Sequence, residues 1–183
     1  MKSEKEKMLA GELYDASEQE LVKEREQARD LIFAFNHTNP GEKEKKQAII
    51  KKLIVAKGTL YIEAPFYCDY GYNIEVGDNF YANFGCTILD VNKVAIGDNV
   101  LLAPNVQIYT ANHPINPVER LTGKEYAKPI SIGNNVWLGG GVIICPGVKI
   151  GNNVTVGAGS VVTGDIPNNV LAAGNPCRVI KYL

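Results

Sequence analysis

Histidine, methionine and tryptophan are scarce in this 183-residue chain, which contains two, two and one of them. Two histidines, His37 and His113, are too few for a three-histidine catalytic metal site. The four cysteines (Cys68, Cys86, Cys145, Cys177) have no C-x-x-C spacing and no histidine beside them, so no metal centre is expected. Cys68 and Cys86 stand eighteen residues apart and would stack if one coil of the fold were that long. Free, mostly buried thiols are otherwise the expectation. An excess of charge is missing too: 19 Lys+Arg face 20 Asp+Glu, for a formal net charge of -1. No global field is left to draw nucleic acid or an anionic membrane. No apolar run nears the roughly 20 residues of a membrane span. The opening "MKSEKEKMLAGE" is too polar for a secretory signal, so a cytoplasmic protein is expected. Glycine, by contrast, is abundant at 18, which points to many short turns.

Two kinds of sequence follow one another. Residues 1–56 are rich in Glu, Lys, Ala and Leu, and read as two or three short helices. "SEQE" from Ser17 has the form of a capping box, with Ser17 as N-cap and Glu20 reaching back. Leu21, Ala28, Ile32 and Phe35 then keep helical spacing. A further helix is expected between Pro40–Gly41 and Gly58.

From residue 57 to 183 the period becomes six. Ile132, Leu138, Ile144, Ile150, Val156 and Val162 are all branched aliphatics. Two places earlier stand Ile130, Val136, Val142, Val148, Val154 and then Ser160. Helices repeat every 3.6 residues and ordinary strands every 2, so neither accounts for six. A short strand followed by a tight turn does, with Gly or Asn at a turn position of positive φ. Such hexads are the signature of a parallel β-helix, a three-sided prism of stacked coils. The period slips by two between Ile88 and Ile96, around "LDVNKVAIG". Between Ile108 and Ile132 the pattern vanishes yet returns in phase, so residues 109–129 read as one long loop extruded from a corner. "TANHPINPVER" carries spaced prolines and His113, and a stiff, long loop of this kind is usually functional.

The sequence resembles the hexapeptide-repeat acyltransferases, and within them the maltose and galactoside O-acetyltransferases, the maltose type most. The residues that carry the resemblance are "EKEKMLAGELYDA", "CDYGYNIEVGDNFYANFGC", "IGDNVLLAPNVQIYTANHPI", "KPISIGNNVWLGGGVIICPGVKIG" and "GNPCRVIKYL". The resemblance implies a mainly β fold, a left-handed parallel β-helix whose helical head covers the acceptor site. It also implies a homotrimer with active sites between subunits and transfer of an acetyl group from acetyl-CoA to a sugar hydroxyl. No metal, nucleic acid or membrane partner is implied.

Direct transfer needs a proton acceptor for the attacking hydroxyl and donors for the developing oxyanion. A histidine titrating near 6.5 suits the first task, and His113 matches the family's base. His37 reads as structural. By resemblance Asn83 contacts the reacting hydroxyl, while Asp15, Asp69 and Asp90 grip the acceptor and Leu101 lines the cleft. Glu125, in the return arm of the loop, reads as orienting His113, as touching the acceptor or as a solvated loop charge. The resemblance assigns Gly140 N–H to the thioester oxygen and Trp137, Gly139, Gly140, Ala158 and Thr163 to the coenzyme. Arg178 and Lys181 are assigned to its phosphates, and Gly164 stands where many relatives carry lysine. Two other readings remain open on the residues alone. One is the same chemistry on a non-sugar acceptor, and the other is a non-catalytic β-helix used as a scaffold.

Overall fold

The computed structural model describes residues 2–183. Three helices come first: α1 (Glu4–Ala10), α2 (Gln19–His37) and α3 (Lys43–Leu53). The capping box expected at Ser17 and Glu20 does not form; one forms instead at Ser3 and Glu6, at the start of α1. At α2 the N-cap is Glu18, whose carboxylate accepts from the N–H groups of Glu20 and Leu21. Ser17 instead donates its hydroxyl to Asp15 Oδ1 at 2.6 Å. An acidic side chain suits a helix N-terminus as well as a hydroxyl does, because both the free N–H groups and the dipole favour it. Leu21, Ala28, Ile32 and Phe35 line the buried face of α2, as their spacing predicts.

The rest of the chain winds as a parallel β-helix with three faces. The first face stacks Val55–Ala56, Ile74–Val76, Val94–Ile96, Ile130–Ile132 and Lys149–Ile150. The second stacks Leu60–Ile62, Phe80–Ala82, Leu101–Leu102, Trp137–Leu138, Val154–Val156 and Val170–Ala173. It is closed by Arg178–Tyr182, which runs antiparallel to Val170–Ala173. The third stacks Tyr67–Cys68, Thr87–Leu89, Gln107–Tyr109, Ile143–Ile144 and Val161–Val162. Every member of the six-residue series from Ile132 to Val162 is buried. Each such aliphatic contributes roughly 1.5–3 kcal/mol by leaving water. The buried residues of α2 and α3 join the same cluster as the prism interior, so the helical head caps one end of a shared core.

Coil length explains the irregularities. In the early coils Leu60 lies opposite Phe80 and Ile74 opposite Val94, one coil being 20 residues. After the arm Trp137 lies opposite Thr155 and Ile143 opposite Val161, one coil being 18, and in the last coil Val154 lies opposite Val170, 16 residues on. Cys68 therefore faces Ile88 and not Cys86, and all four cysteines are free thiols. Leu101 pairs with Trp137, so the long loop adds a coil's worth of chain and leaves the register intact.

At the turn between the first and second faces it is asparagine, one of the two residue types expected there, that takes positive φ. Positive φ is taken by Asn79, Asn99, Asn135, Asn153 and Asn169, whose side-chain amides bond to one another from coil to coil. The preceding glycines serve close approach instead. A Cβ on Gly77 would lie 2.2 Å from Asp98 Oδ1 and 2.7 Å from the carbonyl carbon of Gly97.

Candidate active site

The loop between Tyr109 and Ile130 is an ordered arm. Ala111–Asn112 pairs antiparallel with Tyr126–Ala127, and a one-turn helix α4 (Pro117–Arg120) sits between them. Asn116 caps α4 through Val118 N–H, and Pro117 occupies its first turn, where a missing N–H costs nothing. Arg120 holds the carbonyls of Pro114 and Ile115. The extruded, stiffened loop expected from the sequence is what the chain forms.

His113 emerges from this arm with 58% of its side chain exposed. Its Nε2 lies 3.7 Å from Glu125 Oε2, on the returning strand of the loop. The other carboxylate oxygen of Glu125 accepts a hydrogen bond from Tyr14 Oη at 2.6 Å. Asp69 stands near the same corner, its carboxyl pushed above the usual range by burial first and by the negative charge of Glu125 second. Arg25 and Arg29 of α2 partly offset that shift. Asp15, at the start of the head, is held below the usual range by hydrogen bonds from Ser17.

Asp90 departs from its expected role. It is fully buried, and Oδ1 accepts from the N–H groups of Asp69 (3.0 Å) and Tyr70 (2.9 Å). Its Oδ2 accepts from Asn73 N–H at 3.3 Å. Burial pushes its carboxyl up to about 6 against these donors. With no surface for a ligand, Asp90 shapes the backbone that presents Asp69. This is where the two extra residues of the long coils go: Asp90 and Asn92 fill the corner with polar groups. Asn92 also reaches the head, donating from Nδ2 to the carbonyls of Met8 and Leu9.

The remaining candidates stand elsewhere on the prism. Asn83, Gly139, Gly140 and Ala158 lie at the turn between the second and third faces. Leu101 and Trp137 lie side by side on the outside of the second face, 46% and 52% exposed. That turn is one side of the triangle away from His113, about 15–20 Å at ~3.3 Å per residue. The chain therefore brings together His113, Glu125, Asp69 and Asp15 at one corner. It gathers Asn83, Leu101, Trp137 and Gly140 at another. Thr163, immediately after Val161–Val162, falls on the His113 side and away from Ala158.

The second group suits an amide-bearing thioester arm. Gly139 N–H is bound to Val156 O and Gly141 N–H to Pro104 O, while Gly140 N–H has no partner among the described residues. Ala158 N–H, one coil further on, is likewise without one among the described residues. A Cβ on Gly140 would meet only Pro104 O, at 3.5 Å, so this turn faces open space. Beside it Trp137 offers an apolar face, and the outer positions continue through Thr155 and Leu171 to Lys181. Arg178 and Lys181 place cationic groups on the exposed closing strand. Free donors, an apolar wall and distal cations fit pantetheine amides and phosphates.

His37 is bound within α2, its Nδ1 paired with Phe33 O at 2.8 Å and its ring stacked on Phe33 at 4.1 Å. Tyr14 and Asn92 carry no periodic signal, and only the slip at "LDVNKVAIG" hinted at the second.

Residues 7–58 match the maltose acetyltransferase hexapeptide capping motif, and residues 129–164 match the bacterial transferase hexapeptide repeats. The galactoside O-acetyltransferase of Escherichia coli is 49% identical over 179 residues, 97% of this chain and 88% of that one. A crystal structure of a maltose O-acetyltransferase from Clostridium difficile superposes with a TM-score of 0.97 at 57% identity, covering 100% of this chain and 98% of the other. A galactoside acetyltransferase in complex with coenzyme A superposes at 0.96 with 46% identity, covering 100% and 92%. With a helical cap and a hexad prism matched over nearly their whole length, this chain belongs to the maltose and galactoside O-acetyltransferase family of hexapeptide-repeat transferases.

Proposed function

We propose that the protein transfers an acetyl group from acetyl-CoA to a hydroxyl of a glucose-, maltose- or galactoside-type sugar, with His113 as general base. The observation that carries this reading is the exposed imidazole of His113, held on a braced arm beside the Glu125 carboxylate. Asp15 and Asp69 supply carboxylates at the same corner for the acceptor's other hydroxyls. Acetyl-CoA supplies the activated thioester. As the sugar oxygen bonds to the acetyl carbon, its proton passes to a ring nitrogen of His113. The carbon–sulfur bond breaks, and the imidazolium returns the proton to the departing thiolate. Gly140 N–H is the donor for the carbonyl oxygen as it gains charge. No covalent acyl-enzyme is needed.

The reading requires two copies of the chain. One prism contributes the corner that bears His113, Glu125, Asp69 and Asp15. Its neighbour contributes Asn83, Leu101, Trp137, Gly139, Gly140 and Ala158, with Arg178 and Lys181 toward the coenzyme phosphates. A homotrimer with one such cleft per interface satisfies the requirement, with the helical head over the acceptor side. The separation of about 15–20 Å between the two corners within one chain supports it. Thr163 then belongs to the His113 side of each cleft.

Subunit mixing tests this. His113→Ala and Gly140→Trp each disable one side, the second by filling the open space at that turn. Each pure variant is expected to be inactive, while 1:1 mixed trimers recover about a quarter of wild-type thiol release, the fraction of interfaces with both sides intact. No recovery from mixed trimers, confirmed by mass, would place both groups in one subunit. A panel of glucose, maltose and galactoside acceptors identifies the preferred sugar. Turnover only with non-sugar alcohols would overturn the acceptor assignment.

A further inference from the structure

Tyr14 sits in the head, far in sequence from the arm, yet it is the residue that fastens the arm. Its N–H donates to Glu125 O at 3.0 Å, and Glu125 N–H donates back to Tyr14 O at 3.2 Å. Its hydroxyl donates to Glu125 Oε1 at 2.6 Å. The ring is completely buried, packed with Met8, Leu21, Tyr70, Val91 and Ala127. A buried aromatic ring has few alternative positions, so its hydroxyl is a fixed point. The Glu125 carboxylate, 18% exposed, is thereby pinned by one oxygen and presents the other to His113.

The 3.7 Å between Glu125 Oε2 and His113 Nε2 is too long for a hydrogen bond to a neutral ring. It is an ion-pair distance once the ring carries a proton. The contact therefore gains most of its strength when His113 has taken the acceptor's proton. An interaction of that kind stabilises the transition state more than the ground state, and raises kcat without tightening substrate binding.

We infer that Tyr14 and Glu125 are a positioning pair for His113: the head's buried tyrosine holds the loop carboxylate where it steadies the imidazolium formed during transfer. This rests on the reading of His113 as base. The device ties the helical head to the chemistry itself, so the head is more than a cover. Undocking residues 8–15 would release the carboxylate and idle the base.

Steady-state thiol release with the best acceptor of the panel tests it. Glu125→Gln keeps the shape and the oxygen facing Tyr14 but removes the charge. It is expected to lower kcat about 10-fold with KM for acetyl-CoA within about twofold of wild type. Tyr14→Phe frees the carboxylate without removing it, and is expected to lower kcat about threefold. Glu125→Asp restores charge at a shorter reach and should fall between wild type and Glu125→Gln. In a His113→Ala background, Glu125→Gln is expected to have no further effect, because the residue acts through the imidazole. A kcat for Glu125→Gln within twofold of wild type overturns the pairing. So does the same 10-fold loss in both backgrounds, which would mark a purely architectural role, and this comparison holds even where the variant loses thermal stability. Should His113→Ala itself retain full turnover, it is the base assignment that fails and not the pairing alone.

Discussion

Alanine at position 113 is expected to lower kcat for acetyl transfer by about 10²–10⁴-fold, the usual worth of a positioned general base. The side chain is 58% exposed and packs into no core cluster, so its removal leaves no cavity to collapse. The variant should assemble and bind coenzyme A as the wild type does, because the proposed coenzyme groups, Thr163 apart, stand on a different corner. Thiol release measures the first expectation and calorimetric titration with coenzyme A the second. Retention of wild-type turnover would remove the base from the mechanism. Loss of turnover accompanied by loss of coenzyme binding would mean that the arm shapes the coenzyme site as well.

The second large effect is on stability and falls on Asp90. Three N–H groups converge on its two oxygens. An asparagine side chain has a single carbonyl oxygen to offer, so Asp90→Asn turns an NH₂ toward one of those donors. A buried donor left without a partner costs about 1–3 kcal/mol. The residue also imposes a pH dependence. Burial raises its carboxyl from the ordinary 3.8 to about 6, so the folded chain binds a proton more tightly than the unfolded chain. Its contribution is complete below about pH 4 and is lost as pH rises through about 6. The loss amounts to on the order of 1.4 kcal/mol per unit across that window. Lowered carboxylates such as Asp15 and Asp78 act in the opposite direction, so the wild-type curve alone is a mixture. The difference between wild type and Asp90→Asn isolates the effect: the variant's deficit should be larger at pH 4.5 than at pH 7.5. Urea unfolding at the two values measures it. An equal deficit at both would show that the carboxylate is ionised throughout. Because Asp90 carries the backbone of Asp69, a weaker grip on the acceptor should accompany the loss of stability.

The prism was legible because its rule is local. One branched aliphatic every six residues is enough to specify a strand that points inward and a turn that follows it. Ile132 and its five successors keep that spacing, and all are buried. The arm was legible by contrast, since a segment that breaks the count and returns in phase must leave the prism at one point and rejoin it there. The helical face of α2 was read in the same way, from Leu21 to Phe35.

Features set by contacts between coils leave no such local pattern. Eighteen-residue coils occur only after the arm; each earlier coil has two more residues, at the corner where Asn73, Asp90 and Asn92 are buried. Asp90 reads as one more surface aspartate until the chain folds over it. Ser17 loses the N-cap to Glu18 because its hydroxyl is already engaged with Asp15. Tyr14 gave no signal, since a single aromatic in a charged segment has no period to count.

From residue order alone came the three-sided β-helix, its helical head and the long arm that carries His113, since each depends on patterns repeated or broken within one stretch of chain, while the reading of His113 as base came from resemblance. Only the tertiary structure decided which candidates share a corner, that Asp90 is buried, and that Tyr14 reaches Glu125. Those facts depend on distances between residues as much as 111 positions apart, and such distances are set by how the coils stack.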